Sequence, residues 1–126
     1  SIEDIKVSID ETIEIGTWTI ELNENQYDAT IICYGDNVEK VIYHFKQYNK
    51  KIRVINARFI KPMDDLMLDN LIEDTKPLII YETDLKSGGL ATNIAYYFMQ
   101  KGVNKRIYSL GIEDHYTKQG SIDDLL

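Results

Sequence analysis

The sequence predicts an α/β domain with a mostly parallel sheet and helices on both faces, three layers in all. Three observations predict it. Short β-branched runs alternate with stretches whose apolar residues recur at helical spacing, the pattern of right-handed strand–helix–strand crossovers. Ala29-Thr30-Ile31-Ile32-Cys33-Tyr34 is continuously apolar rather than alternating, as a strand covered on both faces should be. And from Ile52 to Asp64 an alternating β-branched strand runs into Lys61-Pro62 and then into a helix start.

The elements follow in order. Ser1 to Glu14 alternates acids with isolated isoleucines and reads as an extended lead-in, a linker arriving from a preceding domain. The domain proper is expected over residues 15–126. Ile15 to Leu22 alternates and is aromatic and β-branched, so it is strand one. Asn23 to Gln26 is a polar turn, and strand two covers Ala29 to Tyr34. Gly35-Asp36-Asn37 breaks the run and caps a helix, on which Val38, Val41, Ile42 and Phe45 form one apolar stripe.

Strand three opens at Ile52. Pro62 lacks a backbone donor and biases Lys61 towards an extended conformation, so the strand ends before it. Asp64 stands at an N-cap position ahead of Leu68, Leu71 and Ile72. Lys76-Pro77 stops that helix, and Leu78 to Glu82 is strand four. After Thr83 to Gly89 comes a helix with Leu90, Ile94, Tyr97 and Phe98 on one face, closed by Gly102. Arg106 to Leu110 is strand five. Gly111 to Ser121 reads as loop, and Ser121 with Asp124 as the start of a final helix.

Composition narrows the function classes. At 126 residues the chain has the length of one ordinary domain, and a net charge of −7 leaves no electrostatic footprint for nucleic acid or an anionic membrane. Lys50, Lys51 and Arg53 form the densest basic run, placed where a helix ends and its dipole favours cations. Cys33 is the single cysteine, which rules out an internal disulfide and a thiolate metal cage and marks it as a small core residue. No stretch resembles a signal peptide or a membrane span, so a cytoplasmic location is expected.

No complete catalytic constellation emerges. His44 lies beside Tyr43 and Phe45 on a helix and reads as a partly packed surface residue. His115, in Glu113-Asp114-His115-Tyr116, is a candidate interface or ligand contact, and neither histidine has metal-ligand spacing. Arg58 and Lys61 fall on the turn leaving strand three, at the carboxyl edge where ligands and partner domains bind open parallel sheets. Ser87-Gly88-Gly89 is no nucleophile elbow. Gly88 and Gly89 either let helix amides hold an anion or let the helix approach the sheet closely. Glu82, closing strand four, is the carboxylate of most interest, as a salt-bridge partner of Arg58 or as a chemical group.

Several segments carry a family resemblance. Asn56 to Asp64 resembles the "arg-phe-x-lys-pro-x-asp" segment in the C-terminal domain of 1-deoxy-D-xylulose-5-phosphate synthases. Tyr81-Glu82-Thr83 through Ser87-Gly88-Gly89 is similar to that family's "glu-glu-asn … gly-gly", with Thr83 and Asp84 as departures. Leu110 to Tyr116 with Gln119-Gly120 resembles its "gly-leu-pro-asp-x-phe … gln-gly" ending, with Glu113 and Tyr116 as departures. Ile15-Gly16 matches the "ile-gly-lys" entry to the first strand. The lysine-proline-aspartate and glutamate-glycine-glycine elements are shared with transketolases and 2-oxo acid dehydrogenase β subunits.

The resemblance implies a transketolase C-terminal-like fold, with five strands in the order 1-3-2-4-5 and the first antiparallel. The switch point then lies between strands two and four, lined by Gly35-Asp36 and Thr83 to Gly89. It implies a full-length enzyme in which thiamine diphosphate and Mg2+ are held by preceding domains, and in which pyruvate condenses with glyceraldehyde 3-phosphate. The present domain would be inactive alone, would bind no cofactor, and would complete the fold and a homodimer interface. Two other readings stay open. One is a partner-docking module, as in a transketolase or a 2-oxo acid dehydrogenase β subunit, whose acidic face would bind a basic helper protein; a stable dimer burying Tyr96, Tyr97 or Tyr116 would speak for self-association instead. The other is a free-standing small-ligand domain that uses the Gly88-Gly89 helix end.

Overall fold

The computed structural model describes residues 14–23, 25–83 and 89–110. The lead-in up to residue 13, Ser87, Gly88, His115, Tyr116 and the closing helix expected from Ser121 lie outside the described residues.

Five strands make one sheet: β1 (Thr19–Asn23), β2 (Ala29–Cys33), β3 (Ile52–Asn56), β4 (Leu78–Tyr81) and β5 (Ile107–Leu110). Their order is β1-β3-β2-β4-β5. β1 runs antiparallel to β3, and the other neighbours are parallel, with Ile31 opposite both Val54 and Ile79. Order and direction are as expected. Helix α1 (Asn37–Gln47) covers one face; α2 (Asp65–Asn70) and α3 (Leu90–Gln100) cover the other.

Strand periodicity divides the core in two. Ile31, Cys33, Val54 and Ile79 meet Val38, Val41 and Phe45 of α1. Ile32, Ile55, Leu78 and Ile80 meet Leu68, Leu71, Leu90, Ile94 and Phe98. Every residue of β2 is buried because the strand lies at the centre of the sheet between two helix layers. α3 ends as Gly102 foretold: Val103 N donates to Phe98 O at 3.0 Å and Gly102 N to Met99 O at 3.0 Å, satisfying carbonyls the helix leaves over.

Three local expectations are corrected. The first strand begins at Thr19 rather than Ile15: Ile15 is exposed, and Gly16 makes a turn at φ +82°. A Cβ at Gly16 would stand 3.2 Å from Pro62 Cγ, so the turn needs both the left-handed conformation and the missing side chain. Asp36 holds the N-cap position of α1 but is itself helical and makes no side-chain cap bond. Arg53 does not serve a helix terminus. It lies on β3, 4.4 Å over the Tyr27 ring and 2.9 Å from Asp74, while His44 and Lys46 occupy the last turn of α1. Among the described residues, no helix is long and apolar enough to cross a membrane.

Candidate functional site at the carboxyl edge of the sheet

β2 leads through α1 to β3 on one side, and β3 leads through α2 to β4 on the other, so the chain reverses direction between β2 and β4. Ligands of such sheets bind outside the strand ends at that reversal. Here Asn37, the first residue of α1, is nearly buried and donates from Nδ2 to Thr83 Oγ1 at 2.9 Å. That bond ties one wall of the crevice to the other.

Glu82 lies one residue past β4 and is only 4% exposed. Its Oε2 accepts from Leu90 N at 2.9 Å and its Oε1 from Ala91 N at 3.1 Å. The first amides of a helix lack intrahelical partners and carry the positive end of the dipole, so a buried carboxylate is well satisfied there. Gly89, at φ +69°, is the N-cap residue. The anion held by this helix start is therefore the chain's own.

Arg58 lies just past β3 and donates from Nε and Nη2 to the Thr17 carbonyl at 3.1 and 2.8 Å. Trp18 donates from its indole to Phe59 O at 2.7 Å, and its backbone amide donates to Asp64 Oδ2 at 2.8 Å. Asp64 Oδ1 accepts from Met67 N at 3.0 Å, the N-cap bond its position predicts. One aspartate thus starts α2 and anchors the approach to β1. Lys61 stands apart from these groups, on a shallow cleft of about 390 Å³ formed by Ile60 to Met63, Asn93, Tyr96, Tyr97 and Gln100. The Lys61–Pro62 peptide is cis. Tyr97 donates to Asp69, and that bond pushes its phenol up to about 12.

Of the sequence-predicted residues, Arg58 and Glu82 are placed at the carboxyl edge on different backbone partners, Gly89 is the N-cap of α3, and Lys61 faces the cleft. Ser87, Gly88 and His115 lie outside the described residues. Cys33 is fully buried, and burial pushes its thiol up to about 12. Sequence reasoning missed Asn37, because a side chain that crosses a crevice to Thr83 leaves no periodic signal. It also missed the opposite edge. There Tyr27 donates to Asp74 Oδ2 at 2.7 Å, Arg53 bonds Asp74 and Thr30, and Lys105 donates to the Asp74 carbonyl.

Residues 18–126 match the family described as Transketolase, C-terminal domain. A protein named 1-deoxy-D-xylulose-5-phosphate synthase from Shouchella clausii (strain KSM-K16) is 32% identical over 116 residues. One of the same name from Aquifex aeolicus (strain VF5) is 37% identical over 116 residues. Each match takes in 90% of this chain and 18% of the relative, so the chain spans under a fifth of the relatives' length. A solved structure described as a split gene transketolase, inactive beta4 tetramer, superposes with a TM-score of 0.66 over 90% of this chain and 37% of that one. At 19% identity, that likeness is one of fold. Matched along almost its whole described length and folded with the same strand order that its motifs imply, the chain belongs to the transketolase C-terminal domain family.

Proposed function

We propose that the chain is the third, C-terminal domain of a thiamine diphosphate-dependent 1-deoxy-D-xylulose-5-phosphate synthase. The full-length enzyme would join pyruvate to glyceraldehyde 3-phosphate, releasing carbon dioxide, at the head of the non-mevalonate isoprenoid route. Identity of 32% and 37% along nine tenths of the chain to proteins of that name is the observation that carries the reading. Cofactor, metal and substrates would sit in the preceding domains of the same cytoplasmic protein, and this domain would contribute packing and homodimer contacts.

The described residues do not fit thiamine diphosphate. No group of three or more His, Cys, Asp or Glu among them could hold the metal. The α3 amides that would suit a diphosphate already hold Glu82. Calorimetric titration of thiamine diphosphate into the chain should give only heat of dilution, and saturable micromolar binding would reject this division of labour. The positive test is an exchange. This chain, fused behind the preceding domains of the Aquifex aeolicus relative, should restore formation of the five-carbon product that those domains lose without their own C-terminal domain.

The second reading, a docking domain of a transketolase or a 2-oxo acid dehydrogenase β subunit, draws on the likeness to the split gene transketolase. Restored activity in a transketolase host and none in the synthase host would decide for it.

A further inference from the structure

We propose that Lys105 is a site of covalent modification, a nucleophilic amine that takes the acyl group of an acyl phosphate while Arg106 holds the phosphate. Both residues directly precede β5, and Leu78 N donates to Arg106 O at 2.9 Å, which fixes them beside the start of β4. The site therefore lies at the amino edge of the sheet, opposite the crevice between β2 and β4. The reagent is consumed there rather than kept as a ligand, whichever reaction the whole protein performs.

The fold gives this amine no counter-charge of its own. The Asp74 carboxylate is already shared out, to Arg53 Nη2 at 2.9 Å and Tyr27 at 2.7 Å on Oδ2 and to the Lys76 amide at 2.9 Å on Oδ1. Lys105 reaches only the neutral Asp74 carbonyl and forms no ion pair with another described residue. Asp74 faces it from the turn after α2, Arg53 from β3 and Arg106 from its own strand, while α3 contributes the uncharged Ala95, Phe98 and Met99. Burial lowers the ammonium most, and the two guanidiniums add to that against the pull of Asp74. Lysines activated as nucleophiles have these two features, a desolvated amine and cationic neighbours. Lys105 also lines a shallow cleft of about 410 Å³ with Phe98, Met99, Val103 and Ile107, apolar walls for a short acyl chain. Arg106 is exposed and makes one long bond, Nη2 to Thr75 O at 3.4 Å, so its fork has donors to spare for a phosphate. In the transfer the Lys105 nitrogen attacks the acyl carbon and the carbon–oxygen bond to phosphorus breaks. Phosphate leaves with that electron pair and takes up the amine proton, giving an uncharged amide and hydrogen phosphate.

The test is timed labelling of the full chain with acetyl phosphate at about pH 7.5, read by peptide mass spectrometry. Lys105 should acetylate about ten-fold faster than the exposed Lys40 and Lys46 of α1. Inorganic phosphate should slow Lys105 and leave Lys40 and Lys46 unchanged, a readout that needs no variant. Arg106→Gln should lower the Lys105 rate about five-fold with acetyl phosphate but less than about two-fold with an uncharged acetyl ester. Arg106→Lys, which keeps the charge, should retain at least about half of the rate. Lys105 that reacts no faster than Lys40 and Lys46 would overturn the proposal. So would a Lys105 rate indifferent to inorganic phosphate, or an Arg106→Gln loss of equal size with both reagents.

Discussion

The two ends of the parallel strands use polar side chains in opposite ways. At the carboxyl edge, Glu82, Asp64, Asn37 and Arg58 each close on a backbone group or a neutral side chain: helix amides, the Thr83 hydroxyl, the Thr17 carbonyl. At the amino edge, charge meets charge. Asp74 takes Arg53 and Tyr27 on Oδ2 and the Lys76 amide on Oδ1, with Lys105 on its carbonyl. At the edge where open α/β sheets hold ligands, these polar side chains among the described residues tie helices and loops to strands. The ionic network sits where no ligand is expected, and it fastens the starts of β2, β3 and β5 to the turn after α2. Polar residues at a sheet edge are thus no index of chemistry until their partners are known.

The sharpest way to break this comparison is at Glu82. Glu82→Ala should cost about 3 kcal/mol in urea unfolding, since two helix amides lose a charged acceptor and a cavity opens beneath them. Glu82→Gln, which keeps one acceptor oxygen, should cost about half as much. A loss under 1 kcal/mol for Glu82→Ala would mean that the α3 start finds other acceptors.

Next is Asp74→Asn, expected to cost about 2 kcal/mol at neutral pH because the partly buried Arg53 loses its counter-charge. Its pH dependence separates the two edges. Burial raises the Asp74 carboxyl, but the Lys76 amide, the Tyr27 hydroxyl and the charges of Lys105 and Arg53 outweigh it and hold the group below its ordinary value. A carboxyl depressed by folding contributes stability above its unfolded value of about 3.9, and that contribution is lost as pH falls through the folded value. The difference between parent and Asp74→Asn should therefore shrink in acid, below about pH 4. A difference that holds constant into acid would show that the network acts by packing rather than by charge.

Smaller effects refine the carboxyl edge. Asp64→Ala should cost about 1.5 kcal/mol, as the α2 cap and the anchor of the Trp18 amide go together. The loss should be unaffected by salt, whereas that of Asp74→Asn should shift with it. Cys33, fully buried with its thiol pushed up to about 12, should react with a thiol reagent at pH 8 only at the rate of opening or unfolding. Immediate reaction of the native protein would place the end of β2 nearer to solvent than its packing allows.

What could be read from the sequence was what depends on near neighbours. The continuous apolar run of β2, the stripe of α1 and the Asp64 cap involve residues a turn or less apart, so spacing alone reveals them. The strand order came with the motifs of the family resemblance, not from periodicity. The Glu82 contacts bridge eight and nine residues of sequence, and Arg53–Asp74 bridges 21. Charge run and position suggested a helix terminus for Arg53, but only the fold could bring Asp74 and Tyr27 to it. The early start expected for β1 failed for a related reason. Ile15 keeps the alternation, yet the chain turns at Gly16, at φ +82° and packed close to Pro62 from far along the chain.

The indole of Trp18 is the chain's single tryptophan, 2% exposed, and it stands where the antiparallel edge strand meets the turn after β3. The protein therefore carries its one indole fluorophore, selectively excited at the red edge of the aromatic absorption, at the seam between its first strand and the rest of the sheet. Emission that shifts to the red before the far-ultraviolet dichroism falls would show that edge peeling away as a unit of its own, ahead of the remaining four strands.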